Sequence, residues 1–221
     1  MTWVKICGMT NLEDALVAVE AGADAVGFVF YEKSPRYVTV ETAREVVEKL
    51  PESVEKVGVF VGATAESVEG IVTGAVLTVA QIYPDALNRL DDGYLEKLSG
   101  RVIPAISMSS VREDEIKGFR VSNGMRDRVM AALVDSGNSE RPGGTGKQFN
   151  WEQLPAFANC MGLNVIVAGG LSPQNVGKAI EKMKPWGVDV VSGVEASPGK
   201  KDPEKVRAFV KAVREMDRRV G

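Results

Sequence analysis

Four side chains in this sequence suit proton transfer or anion binding: Lys5, Cys7, Arg36 and Asp135. Cys7 closes the apolar stretch WVKIC and is followed by Gly8. A thiol there is either a small buried hydrophobe or, once ionised, a base. Asp135 ends the apolar run Met130 to Val134. A carboxylate in such a place needs a purpose or a partner, and it either does chemistry or caps the glycine-rich loop that follows. Arg36 stands in the short Ser34-Pro35-Arg36 loop, where a guanidinium binds an anion or is solvated. Lys5 has the parity of Cys7 on an extended strand and so faces the same side. The sequence leaves open whether it pairs there with a carboxylate such as Asp24 or Glu195.

A second kind of chemistry is legible in two glycine turns. The run Val165 to Ala168 stops at Gly169-Gly170, after which Ser172-Pro173 reads as a helix start, Ser172 as N-cap and Pro173 in the first helical position. The run Val188 to Val191 stops at Ser192-Gly193, before another helix start. Glycine lets backbone N–H groups approach an anion, and a helix N-terminus adds donors and a favourable dipole. The pair reads as a phosphate clasp, against the alternative of two ordinary strand-to-helix turns. The segment DSGNSERPGGTGKQFNW, with Gly137, Gly143, Gly144 and Gly146, is the longest irregular stretch. It reads as a mobile or phosphate-approaching loop. It is not a P-loop, since Gln148 follows Gly146-Lys147 and Arg141 stands where the first glycine would be.

Composition narrows the chemistry further. The 221 residues include no histidine, so acid–base work falls to carboxylates, thiol, lysine or tyrosine, and a histidine-ligated metal is excluded. Two cysteines are too few for a thiolate metal site or a disulfide framework. With 27 basic and 30 acidic residues in scattered positions, nothing marks a nucleic-acid face or a basic membrane patch. The N-terminal MTWVKICGMT lacks the apolar core of a signal peptide, and no apolar run approaches the roughly 20 residues of a membrane span. A cytoplasmic protein is expected.

These residues are positioned by a regular alternation. Short apolar runs near 3–7, 24–30, 56–61, 78–83, 101–106, 130–135, 164–168 and 188–192 predict eight strands. Between them, one-face spacing predicts helices carrying Leu12, Ala15, Leu16 and Val19; Ala43, Val46, Val47 and Leu50; Val68, Ile71, Val72 and Ala75; Val176, Ala179, Ile180 and Met183; and Val206, Phe209, Val210 and Val213. Weaker patterns lie near 91–99 and 112–120. Thr10 with Glu13 reads as a capping box, and Asp202-Pro203 as a cap followed by a first-turn proline. Eight βα units predict a single-domain (β/α)8 TIM barrel over residues 1–221, whose chemistry sits at the C-terminal strand ends and whose phosphate site follows the seventh and eighth strands. A doubly wound sheet is the alternative, but Cys7-Gly8-Met9-Thr10 stands where its Gly-x-Gly-x-x-Gly turn belongs.

Taken together, Lys5-Ile6-Cys7-Gly8, Gly27-Phe28 with Ser34-Pro35-Arg36, Val57-Gly58-Val59-Phe60, Asp135-Ser136 with Gly143-Gly144-Thr145-Gly146, Ala168-Gly169-Gly170-Leu171 with Asn175-Val176, and Ser192-Gly193-Val194-Glu195 with Lys201-Asp202 resemble the phosphoribosylanthranilate isomerases of tryptophan biosynthesis. The likeness runs in order from residue 4 to about 210. It departs at Gln81-Ile82-Tyr83-Pro84, where the family usually has Gln-Leu-His-Gly. The resemblance implies an Amadori rearrangement of a phosphoribosyl substrate, with Asp135 as acid, Cys7 as base and Arg36 on the anthranilate carboxylate. Gly144, Gly146, Gly169, Gly170, Ser192 and Gly193 would serve the substrate and its phosphate. It also implies no metal or organic cofactor, a small phosphosugar as the partner, and a monomer or homodimer. Two rival readings are the histidine-pathway isomerase on the same barrel, which uses a pair of aspartates where this chain has Cys7, and a non-catalytic phosphate-binding barrel, which has no need of Cys7, Asp135 and Arg36 together.

Overall fold

The computed structural model describes residues 1–84, 90–107, 126–135 and 162–220. Eight strands form a closed parallel barrel: β1 (Trp3–Cys7), β2 (Ala25–Val29), β3 (Glu55–Val61), β4 (Val79–Tyr83), β5 (Arg101–Ser107), β6 (Ala132–Asp135), β7 (Val165–Ala168) and β8 (Gly187–Val190). Each pairs with the next, and β8 returns to pair with β1. The eight apolar runs thus become eight strands, differing from expectation only at their ends. The helices α1 (Leu12–Glu20), α2 (Val40–Val47), α3 (Ala65–Gly74), α4 (Asp92–Glu96), α5 (Val176–Met183) and α6 (Pro203–Val220) alternate with them. The expected helix near 112–120 and the glycines at 137, 143, 144 and 146 lie outside the described residues.

Strand alternation divides the core in two. Ala25, Val57, Val79, Ile103, Leu133 and Ile166 fill the barrel interior, while residues of the opposite parity pack outward against the helices. At the N-terminal end Trp3 and Trp186 stack with centroids 5.3 Å apart against the interior cluster.

The helices bury nearly the stripes their spacing predicts: the named residues of α5 and α6 are all buried, as are Ala43, Val46, Val47, Val68, Val72 and Ala75. Leu16 departs from its stripe, 36 % exposed, because α1 turns Ala15 and Ala18 inward instead. The expected starts need two corrections. Thr10 and Glu13 do not form the capping box. Asn11 caps α1 by accepting from the Asp14 N–H at 2.9 Å, and the Thr10 hydroxyl donates to the Gly199 carbonyl at 2.6 Å. Nor does Ser172-Pro173 begin α5, which starts at Val176 with Asn175 before it. The Ser172 N–H donates to Asn175 Oδ1 at 2.8 Å, and the Asn175 amide donates to the Gly170 carbonyl at 2.8 Å, so the side chain braces the glycine turn and not the helix end. At Asp202-Pro203 the reading holds, with Asp202 Oδ1 accepting from the N–H groups of Glu204 and Lys205.

Helix α6 closes the N-terminal side. Asp217 accepts from the Thr2 N–H and hydroxyl, and Arg214 donates to the carbonyls of Thr2 and Gly22 and to Asp24 Oδ2. Asp24 is therefore committed at the foot of the barrel. Among the described residues no helix is long and apolar enough to cross a membrane.

The two environments of apolar residues should separate by mutation. Phe209→Ala empties a fully buried site and should cost about 3–5 kcal/mol, whereas Leu16→Ala should cost no more than about 1 kcal/mol. Urea unfolding of both variants checks this.

Candidate active site

At the mouth, the ends of β1, β4, β6 and β8 turn Cys7, Gln81, Tyr83, Asp135 and Asp189 into one cavity, which Arg36, Gly169, Gly170 and Ser192 also line. The sequence-derived candidates Cys7, Asp135, Arg36, Gly169, Gly170 and Ser192 are thus brought together. Gly193 lies behind the lining, and Gly144 and Gly146 fall outside the described residues.

Lys5 does face inward with Cys7, and it is fully buried. Its partner is neither Asp24 nor Glu195: the ammonium donates to Asp189 Oδ1 at 2.9 Å, with Asp189 itself buried. Burial alone would lower the Lys5 pKa, but Asp189 and then Cys7 outweigh it and raise it above the ordinary lysine value. The Cys7 thiol goes up, not down. Loss of water around a thiolate is the larger effect, and the Lys5 ammonium opposes it without cancelling it.

Arg36 is engaged as a fork, but with a carboxylate of the protein. Its Nε donates to Glu195 Oε1 at 2.9 Å and its Nη2 to Oε2 at 2.6 Å. Glu195 also accepts from Lys201 Nζ at 3.1 Å and from the Gly199 N–H at 3.2 Å. Burial pushes the Glu195 carboxyl up, but Arg36 and Lys201 together bring it below the usual glutamate value. Its bonds to Glu195 raise the Arg36 pKa further, so the guanidinium stays charged at any working pH. A ligand carboxylate reaching Arg36 would meet the Nη1/Nη2 edge of the guanidinium, since Glu195 takes the Nε/Nη2 edge.

On the other side of the mouth the Tyr83 hydroxyl donates to Asp135 Oδ2 at 3.3 Å, and the Gln81 amide lies 3.5 Å from the same hydroxyl. Burial, then the charges of Asp135 and Asp189, hold the Tyr83 pKa well above its usual value, so the phenol remains a donor. Gln81, at 1 % exposure, keeps its side-chain oxygen without a hydrogen-bond partner among the described residues.

The two glycine turns pack on one another. Gly169 and Gly170 hold φ of +90° and +66°, a conformation that favours glycine. A Cβ on Gly193 would lie 1.9 Å from the Leu171 carbonyl oxygen, so only glycine lets the second turn seat against the first. After Ser192–Val194, a single helical turn, the chain makes a small hairpin, β9 (Glu195–Ser197) and β10 (Lys200–Lys201), before α6. The helix start expected directly after Gly193 is thus one turn long.

Asp189 and Lys201 were not identified from sequence as site residues. Asp189 lies inside the apolar run Val188 to Val191, and that placement was itself the available signal, as it was for Asp135. Lys201 belonged to a motif but showed nothing of its burial.

Glu195 generates a stability prediction. Glu195→Gln leaves Arg36 and Lys201 without their counter-charge and should cost about 3–5 kcal/mol at neutral pH. Because the folded pKa of Glu195 lies below its unfolded value, its contribution is complete above the ordinary glutamate range and is lost as pH falls through the folded value. The gap between wild type and variant should therefore narrow below about pH 4 in urea unfolding.

Comparison with known proteins identifies the family. Residues 4–212 match the family model described as N-(5'phosphoribosyl)anthranilate (PRA) isomerase. The N-(5'-phosphoribosyl)anthranilate isomerase of Trichlorobacter lovleyi is 42 % identical over 216 residues, 97 % of this chain and 99 % of the relative. That of Thermotoga neapolitana is 46 % identical over 211 residues, 96 % and 98 % of the two chains. The crystal structure of the Thermotoga maritima enzyme superposes with a TM-score of 0.83 at 39 % identity, covering 97 % of this chain and 100 % of that one. A phosphoribosyl anthranilate isomerase solved in complex with reduced 1-(o-carboxyphenylamino)-1-deoxyribulose 5-phosphate superposes at 0.79 and 36 % identity, over 97 % and 100 % of the chains. With a matching family model over almost its whole length, this chain belongs to the N-(5'-phosphoribosyl)anthranilate isomerase family.

Proposed function

We propose that the barrel mouth converts N-(5'-phosphoribosyl)anthranilate to 1-(2-carboxyphenylamino)-1-deoxyribulose 5-phosphate in tryptophan biosynthesis, with Asp135 as general acid and Cys7 as general base. The observation that carries the assignment is the shared cavity: a thiol, a carboxyl, an arginine and a double-glycine turn line one space at the C-terminal strand ends. The Asp135 carboxyl gives its proton to the ribose ring oxygen. The C1–O bond breaks while the anilino nitrogen lone pair forms a protonated Schiff base. The Cys7 thiolate then takes the C2 proton, and the electron pair closes C1=C2 and neutralises the nitrogen. The enolamine shifts a proton from oxygen to C1 and becomes the ketone.

In this reading Tyr83, at the place where the family usually has histidine, supports Asp135 by donating to one carboxyl oxygen. Arg36 meets the anthranilate carboxylate, and the turns at Gly169-Gly170 and Ser192-Gly193 take the phosphate, assisted by Gly144 and Gly146. The partner is a small phosphosugar and not nucleic acid, in keeping with the near-balance of charge. Residues 1–221 act as one domain in the cytoplasm, as a monomer or homodimer.

Turnover of phosphoribosylanthranilate, formed in situ from anthranilate, tests the proposal directly. Cys7→Ser replaces a thiol by a hydroxyl that accepts no proton near neutral pH, so kcat should fall roughly 10²- to 10⁴-fold with KM nearly kept. Asp135→Asn should fall at least as far. Near-normal kcat in either variant removes that residue from its role. Arg36→Ala should act mainly on KM, raising it roughly 10- to 150-fold for loss of about 1.5–3 kcal/mol of charged hydrogen bonding. An unchanged KM would place the carboxylate elsewhere.

A further inference from the structure

A base must be ionised to act, and Cys7 sits where ionisation is costly, 3 % exposed inside a barrel. Two features around it address that cost. Its register neighbour on β2 is Gly27, and a Cβ there would lie 2.6 Å from Cys7 Sγ, 2.9 Å from Lys5 Cε and 3.1 Å from Lys5 Nζ. The missing side chain of Gly27 is thus the space in which the thiol and the ammonium converge. The second feature is Asp189, the register partner of Lys5 on β8, which fixes the ammonium at 2.9 Å. Lys5 can leave neither neighbour, because it is fully buried among them.

We propose that Lys5 is a positioning residue of the reaction: anchored by Asp189, its ammonium holds the Cys7 sulfur over Gly27 as the thiolate that removes the proton. This rests on the reading of Cys7 as the base. Among the described residues, the other charged or titratable groups facing Cys7 include Lys201 from the hairpin after β8, Arg36 from the loop after β2, Tyr83 from β4 and, in the same cavity, Asp135 from β6. Lys5 acts on the thiolate more strongly than Lys201 does. Asp189 opposes the thiolate, so its service is to hold Lys5 charged and in place.

The test measures the thiolate apart from turnover. The rate of Cys7 alkylation by iodoacetamide, followed on the Cys7 peptide by mass spectrometry because Cys160 is also present, is recorded against pH. Wild type is compared with Lys5→Met and with Lys5→Met/Asp189→Asn. The double variant leaves no unpaired buried carboxylate, so it keeps the test open if the single variant does not fold. In Lys5→Met the alkylation midpoint should move up by about one pH unit or more, slowing alkylation about tenfold at neutral pH. The double variant should fall between it and wild type. The ascending limb of kcat against pH should follow the same displacement, with KM nearly unchanged. An alkylation midpoint that stays at the wild-type value overturns the proposal. If kcat is then also lost at every pH, Lys5 serves the reaction by a route other than the Cys7 thiolate. A displaced midpoint with an unmoved kcat profile overturns instead the assignment of Cys7 as base, which the Cys7→Ser kinetics check independently.

Discussion

The ion pair between Lys5 and Asp189 is the constraint on which the rest of the mouth depends. An ammonium at zero exposure in an apolar barrel is tolerated only with a counter-charge at hydrogen-bond distance. That counter-charge comes from the strand that closes the ring. β1 and β8 are the first and last strands, and their register sets Lys5 opposite Asp189 with Val4 opposite Val188 and Ile6 opposite Val190. A slip of one residue would turn the lysine toward the helices and an isoleucine inward. Barrel closure and the neutralisation of Lys5 are thus the same event. The pair also fixes the height at which Cys7, two residues along β1, meets the cavity.

A second network secures the outside of the same mouth. Glu195 gathers Arg36, Lys201 and the Gly199 N–H, while the Lys201 N–H donates to Asp14 and the Thr10 hydroxyl to the Gly199 carbonyl. One carboxylate therefore ties the loop after β2, the start of α1 and the hairpin before α6 into a single unit.

The fold was legible because its signals are local. Apolar runs give strands buried on both faces, and one-sided stripes give helices that pack on them. The partners of buried charges were not legible, because they depend on lateral register between segments far apart in sequence. Lys5 and Asp189 are 184 residues apart, and nothing in either strand says which residues of the other will lie alongside. The helix starts failed for a different reason. Thr10 and Asn11 are both capping residues in succession, and the tertiary bond from Thr10 to Gly199 decides between them. At Ser172 to Asn175 the capping side chain was needed to brace the glycine turn. In both places a contact made for the mouth displaced a local preference.

The remaining difficulty is one of protonation order. The mechanism proposed above needs a protonated carboxyl and an ionised thiol together, yet a carboxyl ordinarily ionises more than four pH units below a thiol. Burial carries Cys7 further in the unhelpful direction. Between the two pKa values the ratio of the wanted form to its proton-shifted twin is fixed by their difference and does not change with pH, so no choice of pH repairs it. Only local fields can. Lys5 supplies one, favouring the thiolate without being able to give up its proton to bulk water. Any further field must favour the neutral carboxyl more than it opposes the thiolate, which an anion does only when it lies nearer the carboxyl than the thiol. A buried thiol that is hard to ionise is also the stronger base once ionised. The barrel therefore gains proton affinity at Cys7 from the same exclusion of water that makes a charged neighbour necessary.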